Sequence, residues 1–289
     1  MHFVEAKGIL SARNGMNLFR GCLHGCIYCD ARSKCYQMDH AFEDVEVKRN
    51  APALLEAALR SKRSRCMIGT GAMSDPYSPP EEALGLTRRC LELIDQYGFG
   101  VAIQTKSAGI LRDLDVLQRI HSHSKAVVQM TLTTFDETLC RILEPRVSTT
   151  WERYQALKRF QEAGIPTVVW LCPILPYIND TKENLLGILH YCADAAVKGI
   201  VCFGMGLTLR DGNREYFYSQ LDRHFPGMKE RYIRCYGNAY DIPSPNQQEL
   251  MELFHSFCRE HSILHDNREI FRYMNELEDK TASAQLSLF

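Results

Sequence analysis

The chain has 289 residues, with 34 Lys and Arg against 35 Asp and Glu, a formal net charge of −1. A hydrophobic content of 45% and a charged content of 24% exclude wholesale disorder and leave ample chain for one large α/β core or two small ones. Near-neutral charge excludes a surface uniformly adapted to polyanions, although a local basic face stays open. Twelve cysteines are too few for a disulfide scaffold of this length and too many to pass over.

The first twenty residues carry Glu5, Lys7 and Arg13 with no apolar block between them, so no signal peptide is expected. The most apolar stretch, around Thr167–Leu175, is too short to cross a bilayer and reads as a buried strand. The expectation is a cytoplasmic protein without a membrane partner. Its cysteines then serve as core residues, redox groups or metal ligands.

Beyond the cysteine-rich start, β-branched apolar runs alternate with helical patterns. Cys66–Gly69 reads as a strand running into the glycine-rich GTGAMSDPYSPPE, and Leu84–Tyr97 carries a helical period. Val101–Thr105 is a strand and Ile110–Ile120 a helix. Ala126–Leu132 is a strand, followed by a helix over Trp151–Ala163 that Gly164 closes, with Pro166 just beyond. Thr167–Ile174 follows as a strand, Lys182–Ala196 as a helix and Gly199–Met205 as the last strand of the series. Strict alternation implies parallel strands with right-handed crossovers. A partial (β/α)6 barrel of the TIM type is the expected fold, with its site at the C-terminal strand ends; a doubly wound sheet is the alternative. Residues 1–212 are expected to form the core, 213–280 a mostly helical extension, and 281–289 a tail.

The sharpest signal is Arg20-Gly21-Cys22-Leu23-His24-Gly25-Cys26-Ile27-Tyr28-Cys29-Asp30, a CxxxCxxC spacing with glycines that permit a tight wrap of backbone. Three soft thiolates so close together suit zinc or an iron–sulfur cluster. Zinc needs a fourth ligand, for which His24 and Cys35 are candidates. Three protein ligands on a four-iron cluster leave one iron open to an exogenous ligand. Cys66, Cys90, Cys140, Cys172, Cys192 and Cys202 sit in apolar patterns and read mostly as small core residues.

CxxxCxxC with Tyr28 before the last cysteine resembles the signature of the radical SAM enzymes. The resemblance implies a [4Fe-4S] cluster on Cys22, Cys26 and Cys29. Its open iron chelates S-adenosyl-L-methionine, whose reductive cleavage gives a 5′-deoxyadenosyl radical. A narrower resemblance, carried by GAMSDPYSPPE, TKSAGILRDLDVL, TLTTFDETLCRILEPR, EAGIPTVVWLCPILPYIND and GMGLTLR, is to the spore photoproduct lyase-like branch. It implies that Lys106 pairs with the SAM carboxylate, unless it is a solvated lysine at a strand end. Ser74 and Asp75 fall where the SAM amino group is bound, or else form a polar turn. Thr131 falls near the ribose, or is an ordinary strand residue, and Cys172–Pro176 fall near the adenine through backbone groups, or are simply core strand. Glu144 and Arg146 form a candidate ion pair. The hydrogen-donating cysteine that spore photoproduct lyase carries after its second strand has no counterpart in GTGAMSDPYSPP; Tyr77 or Cys202 is the candidate catalytic replacement.

The pentapeptide Gln285-Leu286-Ser287-Leu288-Phe289 resembles peptides through which bacterial repair and replication proteins bind the DNA polymerase sliding clamp. Exposed leucines and a phenylalanine suit a receiving pocket. The residues of Arg210–Arg234 mix arginines and aromatics that suit a phosphate backbone, with interspersed acids that suit ordinary solvated surface. The expected partners are therefore the clamp, DNA, and a flavodoxin or ferredoxin as electron donor. An RNA or peptide substrate, or a clamp-associated redox or scaffold role for the cluster, is the alternative.

Overall fold

The computed structural model describes residues 1–278 and residue 280. Its centre is a parallel sheet of six strands whose spatial order is their order in the chain: β1 (Gly15–Met16), β2 (Met67–Thr70), β3 (Gly100–Thr105), β4 (Ala126–Thr131), β5 (Thr167–Trp170) and β6 (Gly199–Val201). Sequential order with helical crossovers is the partial-barrel solution rather than the doubly wound one, in which strand order reverses partway.

The period of two along each strand divides the side chains between the faces. Ile68, Val101, Ile103, Val128, Met130, Val169 and Ile200 face the helical layer and are fully buried. Met67, Ala102, Val127, Val168 and Val201 line the concave face, which the helix Asn267–Asn275 closes with Ile270 and Met274. Each such aliphatic side chain contributes about 1.5–3 kcal/mol by leaving water.

The elements follow the sequence pattern with local differences that have physical causes. The helical stretch expected over 84–97 is two helices, Pro80–Leu84 and Leu86–Gln96, divided at Gly85 in a left-handed conformation. The fifth strand ends at Trp170, because Pro173 two residues past Leu171 has no N–H for the ladder. The helix Thr150–Glu162 starts where a capping box forms between Thr149 and Glu152.

Residues after 212 do two things. Helices Asn213–His224 and Met228–Tyr236, with the antiparallel pair Gly206–Thr208 and Asp241–Pro243, pack Leu207, Leu209, Phe217, Leu221, Tyr232 and Ile242 against Cys26, Ile27 and Tyr28. Helix Gln247–Glu260 then joins the outer layer, its Leu250, Phe254, Phe257 and Cys258 in the main core with Ile188 and Cys192. Among the described residues no helix is long and apolar enough to cross a membrane.

Candidate active site

A cavity of about 700 Å³ opens at the C-terminal ends of the strands, lined by Cys22, Cys26, Cys29, Tyr28, Ser74, Asp75, Lys106 and Thr131, among others. The loop carrying the three cysteines is held from several sides. Gly21 has φ +87°, and a Cβ there would lie 2.4 Å from the Phe42 carbonyl oxygen, to which Cys22 N donates at 3.1 Å. Ser74 Oγ donates to Gly21 O at 2.9 Å. Ile27 N donates to Leu143 O and Arg146 N to His24 O. Gly71, at φ +97°, brings the loop after β2 against β3 so closely that a Cβ would lie 1.9 Å from Gln104 O. No other residue fits there.

Burial pushes the Cys22 thiol up to about 11, with the Asp75 charge adding to it. Burial likewise holds Cys26 and Cys29 above the usual thiol range, against the opposing pull of the Lys106 charge. Three thiols gathered at such a cost to their charged forms suit a metal centre, which deprotonates its ligands and neutralises them. Among the described residues the three sulfurs do not gather within 4.8 Å of one another. A single tetrahedral ion with bonds of about 2.3 Å would need them roughly 3.8 Å apart; a multi-iron cluster spreads its ligands more widely. Neither candidate fourth ligand for zinc gathers with two of the sulfurs within 4.8 Å among the described residues. His24 Nδ1 donates to Arg146 O at 3.0 Å, and its Nε2 lies 3.1 Å from Asp75 Oδ2 without hydrogen-bond alignment. Cys35 is exposed beside Arg210, 3.4 Å from Nη1. The donor set therefore fits the cluster.

Lys106 is the cation of this cavity. Burial works to lower its ammonium, but the charges of Cys26, Glu144, Cys29 and Asp75 outweigh that and hold it above the usual value. Among the described residues no carboxylate lies within salt-bridge distance of it, so its charge is available to a bound anion. Asp75 is fully engaged by protein: Thr105 Oγ1 donates at 2.7 Å, Tyr77 N at 2.9 Å and Lys106 N at 2.7 Å. Burial would raise its carboxyl, yet His24 and these donors hold it at about 2. It acts as a buried strut joining β2 to β3, and the Ser74 oxygen, itself a donor to Gly21, keeps lone pairs for an ammonium.

Glu144 does not pair with Arg146, whose side chain is exposed. Its partners are the Tyr28 hydroxyl, which donates to Oε1, and the Arg153 guanidinium. Arg153 also donates to Thr131 O at 2.7 Å and to Cys140 Sγ at 3.3 Å. The network runs from the cluster loop to the end of β4, so Thr131 reaches the cavity from a backbone fixed by Arg153.

Neither candidate hydrogen donor reaches the cavity. Tyr77 is buried with its hydroxyl donating to Asp113 Oδ2 at 2.9 Å. Cys202 alternates with the cavity-lining Phe203 and therefore points into the helical layer, 3.9 Å from Met251 Sδ. By the same alternation Trp170 and Cys172 line the cavity from β5 and its continuation. Cys172, read from sequence both as a core cysteine and as one end of a stretch near the adenine, is the fourth cavity thiol. Strand register is the signal that identifies it, since it lies two residues beyond Trp170. Gln285–Phe289 lie outside the described residues.

The chain is similar to an uncharacterized protein of Mycobacterium tuberculosis, 28% identical over 271 residues that cover 92% of this chain and 79% of that one. An uncharacterized protein of Methanocaldococcus jannaschii is 32% identical over 186 residues, 64% of this chain and 68% of that one. Among solved structures, a spore photoproduct lyase variant with bound AdoMet and dinucleoside spore photoproduct matches with TM-score 0.61 at 14% identity, covering 84% of this chain and 72% of that one. A further spore photoproduct lyase variant matches with TM-score 0.63 at 13% identity, covering 90% and 77%. Likeness at this identity is a likeness of fold. The sequence profile of the radical SAM superfamily matches residues 16–192, and with the cysteine loop, the partial barrel and the cavity in agreement, the chain belongs to the radical SAM superfamily, enzymes that use a [4Fe-4S] cluster and S-adenosyl-L-methionine.

Proposed function

We propose that this radical SAM enzyme acts on DNA, modifying or repairing a base, and that the pentapeptide Gln285–Phe289 brings it to the replication machinery by binding the sliding clamp. The observation that carries the substrate class is Phe203. It is 65% exposed and lines the same cavity as the three thiols. Its ring lies 6.1 Å from Trp170 and 6.2 Å from Phe271. An exposed aromatic held at the edge of a reactive cavity suits a planar group, and base–aromatic stacking is worth about 1–3 kcal/mol per base. The spore photoproduct lyase neighbour, solved with a dinucleoside lesion, has a related fold and supports the same class.

When bound, a [4Fe-4S] cluster and S-adenosyl-L-methionine would supply a 5′-deoxyadenosyl radical, with one electron for which a flavodoxin or ferredoxin is the expected source. The chain's own residues do the rest. Cys22, Cys26 and Cys29 would hold the cluster, and Tyr28 anchors the backbone beside the third of them through Glu144. Lys106 offers its ammonium to the carboxylate of the amino acid moiety, while Ser74 offers lone pairs to its ammonium. Thr131 lines the cavity where it would border the sugar. Phe203 and Trp170 form the side on which a base stacks. Arg210 and Arg214 contribute less than their charge suggests, because Arg210 donates to Tyr240 and Arg214 to the carbonyls of Leu209 and Ala239. Weak phosphate attraction agrees with recruitment through a tether.

The test is anaerobic cluster reconstitution followed by dithionite and SAM, with 5′-deoxyadenosine measured with and without damaged duplex or single-stranded DNA. Stimulation by DNA, together with clamp binding that is lost on deleting residues 285–289, is the expected result. An RNA or peptide that stimulates where DNA does not, or unchanged clamp binding after the deletion, overturns it.

A further inference from the structure

A second group of metal-ligating side chains lies outside the cavity. His2 opens the strand His2–Val4, which pairs in parallel with Glu46–Lys48. His40 and Asp44 come from the segment just before that partner strand. A ring nitrogen of each histidine and a carboxylate oxygen of Asp44 lie within 4.8 Å of one another. The two imidazoles meet edge to face with centroids 4.9 Å apart.

The hydrogen bonding leaves a donor atom to spare. His40 Nδ1 is 3.0 Å from Ala41 O, and a carbonyl only accepts, so Nδ1 carries the proton. The neutral ring then presents the Nε2 lone pair. That nitrogen is buried and has no hydrogen-bond partner; Glu46 Oε2 lies 3.8 Å away. His2 Nδ1 is 2.9 Å from Asp44 Oδ2, while Asp44 Oδ1 is 2.6 Å from the Met1 ammonium. The His2, His40 and Asp44 side chains are 39%, 14% and 44% exposed, so one side of the group is open to water.

We propose that His2, His40 and Asp44 form a binding site for a divalent first-row transition ion, zinc foremost. Two imidazoles and one carboxylate with an open side are a donor set that zinc accepts, with water completing the coordination. The Ala41 carbonyl bond to His40 is the outer contact that orients a metal-binding imidazole. The ion takes the place of the proton between His2 Nδ1 and Asp44 Oδ2, and that proton goes to solvent. No electron moves. Occupancy ties the His2–Val4 strand to the segment whose Phe42 carbonyl backs Gly21 and Cys22, and so stiffens the wall behind the cluster loop.

The test uses untagged, cluster-loaded protein, in which Cys22, Cys26 and Cys29 are already occupied. Zinc bound after equilibrium dialysis is counted by mass spectrometry for the natural chain, His40→Gln and Asp44→Asn. The natural chain should hold about one zinc more than either variant, or the same zinc about tenfold more tightly or better, and added zinc should raise its melting temperature alone. Both substitutions sit at a partly exposed site, and circular dichroism verifies that the variants fold. Equal stoichiometry and affinity in all three proteins overturns the proposal.

Discussion

Glu144 and Arg153 form an ion pair in which both side chains are completely shielded from water. The pair sits between the Tyr28 hydroxyl and the carbonyl of Thr131, so it holds the cluster loop and the fourth strand in one arrangement. Removing one member leaves a buried charge without a partner, which costs about 3–5 kcal/mol. Arg153→Ala should lower unfolding stability by that amount in urea titration. Replacing both residues by apolar ones of similar volume should cost clearly less. A small effect of the single substitution would mean that water reaches Glu144.

The ammonium of Lys106 has no carboxylate partner within the described structure and lines the cavity beside the thiols. A hydrogen bond to a charged group is worth about 1.5–3 kcal/mol, or roughly 10- to 150-fold in affinity. Lys106→Met should weaken SAM binding to the cluster-loaded protein by that factor, as read by equilibrium dialysis. Iron content should stay unchanged.

Cys172 and Cys26 share the cavity but are expected to differ in role. Cys26→Ala should lose most bound iron and all 5′-deoxyadenosine formation. Cys172→Ala should keep the iron, because the three ligands are untouched. Iron and sulfide assays on the two variants separate the outcomes; equal iron loss would put Cys172 among the ligands.

Asp75 supplies a pH dependence whose sign follows from its depressed carboxyl. Its folded-state value of about 2 lies below the unfolded carboxylate range, so its contribution is present above about pH 4 and is lost as pH falls toward 2. The displacement corresponds to about 2 kcal/mol. The stability advantage of the natural chain over Asp75→Asn should therefore shrink by about that much between roughly pH 5 and pH 2. Urea unfolding across that range measures it. A constant difference would show that Asp75 does not carry the buried charge.

Phe203→Ala removes the exposed ring without touching cluster or SAM residues. DNA stimulation of SAM cleavage should fall about 5- to 150-fold, in line with one lost stacking contact. Basal 5′-deoxyadenosine formation without DNA should be unchanged. A parallel loss of basal turnover would make Phe203 a cofactor-shaping residue instead.

Much of this was legible in the chain because it rests on local relations. The spacing of Cys22, Cys26 and Cys29 is a property of eight consecutive residues, and the alternation of Val101–Thr105, Ala126–Thr131 and Thr167–Trp170 with helical patterns follows from side-chain periodicity. Those relations pointed to Cys22, Cys26 and Cys29 as the candidate cluster ligands and to a parallel α/β sheet, while the order of its strands came only with the fold. The two-residue strand Gly15–Met16 was not legible, since so short a stretch has no periodicity; it exists because β2 offers it a parallel edge. The partner of Glu144 is hidden from the sequence for a related reason. Arg146 is near in sequence, but Arg153 is near in space, one helix turn inside Thr150–Glu162.

The same limit governs the candidate hydrogen donors. Tyr77 and Cys202 were reasonable by position, and only the direction of their side chains removed them from the cavity: one meets Asp113, and the other alternates out of phase with Phe203. The sequence by itself determined which chemistry this protein carries, because metal-ligand spacing and hydrophobic period are written in adjacent residues. Tertiary structure decided which side chains face the cofactors and which face the core. It also brought His2 beside His40 and Asp44. Those outcomes depend on strand register and loop packing between residues far apart in the chain.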